Sequence, residues 1–96
     1  MTQMMIQTYQ MTAIAGQEDD LRSALVALAA AVRKQPGCIS AKVYADVTDA
    51  SAFLFAEEWA SREDHKKAGQ ALGREAFAPV MAAAEGRPDV RSLVPA

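Results

Sequence analysis

The chain has 96 residues, a net charge of −2, and a composition that is 51% apolar, 23% charged and 6% aromatic, which predicts one domain with a single modest core. That apolar content excludes a disordered tail or linker. The slightly acidic balance, with no stripe of Lys and Arg, disfavours a nucleic-acid partner.

Met4 to Ile14 alternates β-branched, aromatic and Met residues with Gln and Thr and reads as a strand. Gly16 punctuates it, and Glu18, Asp19 and Asp20 follow where acidic residues complement a helix N-terminus. Leu21, Leu25, Leu28 and Val32 recur at helical spacing, so an amphipathic helix is predicted over about 17–34. Arg33 and Lys34 close it and Pro36-Gly37 stops it. A second strand places Ile39, Ala41, Val43 and Ala45 on one side. Turn residues 48–51 lead into a third strand, Ala52 to Trp59, expected to pair with the second as a hairpin.

Ser61 to Asp64 reads as a helix start with Ser61 as cap, and the helix runs to about Leu72. Arg74 to Glu85 is helical again with Phe77, Val80, Met81 and Ala84 on one stripe; Pro79 means that it either kinks or starts late. Asp89 to Val94 is a last short strand with Val90, and in one reading Leu93, pointing inward. Strand, helix, strand, strand, split helix, strand is the α+β, ferredoxin-like βαββαβ sandwich, one domain over 1–96.

Cys38, the lone cysteine, cannot form an internal disulfide and fits a reducing cytoplasm. Met1 to Gln10 carries no Lys or Arg, so no signal peptide is read there. The longest apolar run, nine residues from Ala24 to Val32, is too short to cross a bilayer; no membrane partner is expected. In the third strand both sides are apolar: Phe53, Phe55, Glu57 and Trp59 share one, and Ala52, Leu54, Ala56 and Glu58 the other. With the small aliphatics of strand two packed on the helices, the Phe/Phe/Trp side has no cover. A homodimer pairing two sheets would hide it and leave a cavity between sheet and helices.

Gly16-Gln17-Glu18 with Leu21, Gln35-Pro36-Gly37-Cys38, Glu57-x-Trp59 at the end of Phe53 to Trp59, Ser61 to Asp64 and the Phe77 helix occur in this order. In this the chain resembles the antibiotic biosynthesis monooxygenase-like domain, a dimeric α+β barrel family, over nearly its full length. The resemblance implies a cofactor-independent monooxygenase or quinol oxidase acting on a small electron-rich aromatic or polyphenolic molecule. The family's helix histidine falls at Ala68, with His65 one turn earlier. Its haem-degrading branch uses an asparagine on the first strand, and this chain has no asparagine.

Such oxygenation needs an apolar wall to stack the aromatic, a group to take its proton, and exclusion of water. Phe53, Phe55 and Trp59 offer the wall, with Met5 and Met11 as plastic additions; Tyr9 and Tyr44 are substrate-binding handles; Glu57 and His65 are the candidate catalytic acid–base groups. Each has a plainer role: Trp59 as core or interface packing, Glu57 in a salt bridge or cap, His65 on a solvated helix face beside Lys66 and Lys67, the tyrosines as filling. No metal-ligand spacing and no phosphate loop is present, so no metal and no cofactor is expected. A non-catalytic binding or scaffold dimer is the alternative, and a haem protein, which needs His65 facing the cavity, a third.

Overall fold

The computed structural model describes residues 3–96. In chain order these form β1 (Met5–Thr12), α1 (Glu18–Arg33), β2 (Cys38–Ala45), β3 (Ala52–Trp59), α2 (Arg62–Leu72), a 3₁₀ turn (Arg74–Ala76), α3 (Ala78–Ala83) and β4 (Asp89–Leu93). The strands make one antiparallel sheet in the order β2-β3-β1-β4, the ferredoxin-like arrangement the element order implies.

Local chemistry accounts for the boundaries. Acidic residues Glu18, Asp19 and Asp20 occupy the first turn of α1 and Arg33 the last, both favourable to the helix dipole. Its stripe of Leu21, Leu25, Leu28 and Val32 is almost wholly buried, each worth roughly 1.5–3 kcal/mol. Arg33 Nε donates to the Ala41 carbonyl at 2.9 Å and ties the end of α1 to β2. Ser61 caps α2: its Oγ accepts from the Asp64 backbone N–H at 3.1 Å and donates to Asp64 Oδ2 at 3.0 Å. Pro79 falls in the first turn of α3, where its missing N–H would have had no partner. The stretch after Gly73 therefore starts late rather than kinking.

Strand pairing fixes which side chains share a face. Met5, Gln7, Tyr9 and Met11 of β1 lie directly opposite Trp59, Glu57, Phe55 and Phe53 of β3, and Ala41 and Val43 of β2 lie opposite Glu57 and Phe55. Residues opposite one another in an antiparallel pair point to the same side, so the small aliphatics and the large aromatics belong to one face. The helices cover that face. Phe53, Phe55 and Trp59 are 1–2% exposed within a single chain, so the expectation that they form the uncovered side is corrected. The open face is the other one: Ile6, Thr8, Tyr44, Leu54, Ala56 and Leu93. Leu93, opposite Ile6, accordingly points outward and only Val90, opposite Tyr9, points inward. Ile39 leaves its predicted row as well. The β2–β3 register shifts between Cys38 and Ser40, and the bulge leaves Ile39 57% exposed.

Candidate functional site

Between the sheet and helices α1 and α3 lies a cavity of about 250 Å³. Tyr9, Met11 and Phe55 form its floor, Leu25 and Leu28 one wall, and Phe77, Val80 and Met81 the other, with Pro88 and Val90 at the β4 side. The end of α3 meets the sheet through small residues, at the Ala13–Ala84 bridge with Ala83 buried beside it, and the space left is walled mainly by aliphatic chains. The Tyr9 ring stacks on Phe55, centroids 5.7 Å apart and planes 26° from parallel, which is the geometry an aromatic guest would extend. Among the described residues lining the cavity, Tyr9 is the one with a polar side chain. Burial, and then the charge of Glu57, hold its hydroxyl well above the usual phenol range, with Gln7 acting the other way. At neutral pH Tyr9 is thus a neutral phenol.

One position further along β3 on the same face is Glu57, 2% exposed. Its Oε1 accepts a 3.0 Å hydrogen bond from Trp59 Nε1 and lies 3.8 Å from His65 Nε2. The imidazole meets the indole edge-on with centroids 5.6 Å apart. Burial pushes the Glu57 carboxyl up to about 7, against a smaller downward pull from the indole N–H. Burial also moves His65 below its ordinary value. A buried carboxyl that ionises near neutrality beside a neutral imidazole is suited to proton transfer.

Gln7, 6% exposed, sits directly opposite both Glu57 on β3 and Ser92 on β4. It accepts a hydrogen bond from Ser92 Oγ. A polar row, buried at Glu57 and Gln7 and exposed at Ser92, thus crosses the sheet beside the apolar cavity. His65 opens on its far side to a recess of about 310 Å³ lined also by Met5, Arg62, Glu63, Lys66 and Ser92.

The sequence-predicted residues are divided among these places. Tyr9 and Phe55 line the cavity together, joined by Met11. Glu57, Trp59 and His65 form the adjoining cluster. His65 is only 29% exposed at its side chain, so it packs inward, unlike the solvated helix face that its neighbours Lys66 and Lys67 suggested. Phe53 lies farther along β3, with the Arg22 guanidinium 5.6 Å above its ring. Tyr44 is opposite Leu54 and belongs to the uncovered face, so as a handle in the cavity it is corrected. His65 is not among the cavity's lining residues, which removes the arrangement a haem reading required. Gln7 and Ser92 were missed. The signal for Gln7 was present, since it is the polar residue in the inward row Met5, Gln7, Tyr9 and Met11. Among the described residues no group of His, Cys, Asp and Glu could hold a metal ion, and no helix is long and apolar enough to cross a membrane.

A family profile described as antibiotic biosynthesis monooxygenase matches residues 4–80. A structure from Chloroflexus aurantiacus, provisionally named an antibiotic biosynthesis monooxygenase, is 30% identical with a TM-score of 0.81, covering 97% of this chain and 93% of that one. SnoaB from Streptomyces nogalater, a cofactor-independent oxygenase solved as a mutant, is 12% identical with a TM-score of 0.80, covering 96% and 92%. A conserved protein of unknown function from Bacteroides thetaiotaomicron is 17% identical with a TM-score of 0.88, covering 98% and 99%. These last two likenesses speak for the fold alone. The comparison with curated proteins found no match.

Proposed function

The chain belongs to the antibiotic biosynthesis monooxygenase family, and from that premise we propose that it is a cofactor-independent oxygenase that oxidises a small electron-rich aromatic held in the cavity between sheet and helices. The observation that carries this reading is the cavity itself, about 250 Å³ of aliphatic and aromatic wall with the Tyr9 phenol as its polar handle. The substrate's ring stacks on Phe55 beside Tyr9. Tyr9, a neutral phenol, donates to the substrate oxygen where negative charge develops. Glu57, within electrostatic reach of Tyr9, is the proton acceptor, and His65 supports it.

The apolar walls keep water from the resulting anion, which gives its electrons directly to O₂. For an anthrone-type substrate the ring methylene loses both hydrogens and one oxygen atom becomes the new carbonyl. The other leaves as water. The substrate supplies all the electrons, so no external reductant is needed. For a quinol the products are quinone and hydrogen peroxide.

Two further parts of the reading concern assembly and compartment. Two copies pair through the open sheet face, and the half-buried free thiol of Cys38 suits a reducing cytoplasm. A binding dimer without turnover is the second reading; it is favoured by the lack of any carboxylate or imidazole among the described cavity-lining residues. Oxygen-electrode assays with anthrones, quinols and catechols decide between them. The oxygenase reading expects uptake above the uncatalysed rate with at least one class, abolished by Met81→Trp, which fills the cavity mouth. Binding of these aromatics without uptake supports the second reading, and neither binding nor uptake removes both.

A further inference from the structure

We infer that Glu57, His65 and the recess beneath α2 form the route by which the substrate's proton leaves for solvent. This rests on the oxygenase reading, which requires the substrate's proton to leave an apolar-walled cavity. The cavity lining holds no carboxylate or imidazole among the described residues, so a proton taken there has to be passed on. Glu57 is the first titratable group along β3 beyond Phe55. Two successive same-face positions on a strand are about 7 Å apart, and Glu57's charge is felt at Tyr9.

From Glu57 the next group is His65, with Nε2 3.8 Å from the carboxylate oxygen. The ring is buried against Trp59 on one side and faces the 310 Å³ recess on the other. The proton moves from the substrate to the Glu57 carboxylate, from the carboxyl to one imidazole nitrogen, and from the other side of the ring to water in the recess. The carboxylate is regenerated directly, the imidazole is left as its other tautomer and resets by proton exchange with water in the recess, and no electrons move.

The charged and titratable surroundings are compatible with this route. From β1 Glu57 faces Tyr9 and Gln7, from β2 Cys38, whose thiol its charge helps push up, and from α2 His65. The Arg33 guanidinium of α1 acts on Cys38 in the opposite sense while donating to the Ala41 carbonyl. Arg62, Lys66 and Glu63 stand around the recess mouth. Among the described residues Glu57 has no Lys or Arg in salt-bridge contact. A fixed cation there would lock it in the ionised state and stop the relay.

The experiment has two arms. In the first, oxygen uptake is measured for His65→Gln, which keeps a hydrogen-bond donor near Glu57 but cannot carry a proton. Uptake is expected to fall about ten- to a hundredfold and to return on adding imidazole, which is small enough for the recess; Glu57→Gln should lose uptake without rescue. Unchanged uptake in His65→Gln, or a loss that imidazole does not relieve, overturns the route.

The second arm needs no turnover. Trp59 is the only tryptophan, and its indole N–H donates to Glu57, so its proton resonance reports the state of that carboxyl. It should titrate with a midpoint near 7, and the midpoint should move upward in His65→Leu, where the polar ring 3.8 Å from the carboxylate oxygen gives way to an apolar side chain. A midpoint in the ordinary carboxylate range of about 4–5, or one indifferent to His65→Leu, also overturns the route. Absence of oxygen uptake by the unaltered protein, with the titration as expected, defeats the oxygenase reading and leaves the Glu57–His65 coupling standing.

Discussion

Glu57 occupies a place where a carboxylate is poorly solvated, and Trp59 Nε1 is its closest donor. Its pKa rises from 4.5 to about 7 on folding, so the folded state prefers the protonated acid. A raised pKa contributes stability that is full below about 4.5 and is lost as pH rises through about 7. The unaltered protein should therefore lose on the order of 2–3 kcal/mol between pH 4.5 and pH 8 from this group. Glu57→Gln cannot ionise but still offers an oxygen to the indole. It should be more stable than the parent by about that amount at pH 8 and nearly equal to it at pH 4.5. Urea denaturation at the two pH values reads the difference, and equal gaps at both would contradict the assignment. His65 works in the opposite sense. Burial lowers its pKa, so its contribution is present above its ordinary value of 6.5 and is lost as pH falls through the lowered one. His65→Gln should accordingly lose less stability than the parent on acidification below pH 6, read in the same titration.

Among the elements, the turn before β2 and the start of α2 depend on each other. Gly37 has φ +84°, and a Cβ built there would lie 2.4 Å from Asp64 Cγ, the carboxyl held by the Ser61 cap. The Gly37 carbonyl also receives the Ala60 N–H at 2.8 Å. Gly16 has the same sign of φ, +85°, but nothing stands within 4 Å of its would-be Cβ. Gly37→Ala should cost roughly 2–4 kcal/mol, through backbone strain and displacement of the α2 cap, and Gly16→Ala about 1 kcal/mol. Thermal unfolding of the two variants checks this, and equal losses would show that Asp64 simply moves aside.

The punctuation behind these contacts was legible in the sequence: Pro36-Gly37 as a stop, Ser61 to Asp64 as a cap, and the leucine stripe of α1. Strand parity was legible too, since Phe53, Phe55, Glu57 and Trp59 do share one side. Which side the helices cover was not. Parity is a property of one strand, whereas cover depends on the register of β3 with β1 and β2, and both sides of β3 carry apolar residues. The bulge at Ile39 had no signal in residue type. Tyr44 was misplaced as a cavity handle for the same reason, because its side follows from pairing with Leu54. The cavity needed three elements to meet, so only Tyr9, Phe55 and Met11, at the correct parity on their strands, could be named in advance.

At the scale of the molecule, the described chain measures 45 × 29 × 19 Å. Its thin dimension leaves room for one sheet and one layer of helices, and none of the described residues covers the second sheet face. That face carries Ile6, Leu54 and Ala56 at its middle, Tyr44 half exposed at 49% and Leu93 at 46% near its edges, and the hydrogen-bonded pair Ser40–Glu58, 3.0 Å apart, at one side. An apolar centre with a polar rim is the layout of a protein interface, and a stable one needs about 800 Å² from each partner. Sedimentation velocity at micromolar concentration should give twice the chain mass of 10.3 kDa. Leu54→Glu places a charge at the middle of that face, beside Tyr44 and Gln10, and should return the mass to a single chain. Because the cavity lies on the opposite side of the sheet, the same variant should keep its affinity for a cavity ligand. A monomeric parent would remove the pairing. A monomeric Leu54→Glu that no longer binds would mean that the second copy buttresses the cavity walls through the sheet, and that the two faces act as one unit.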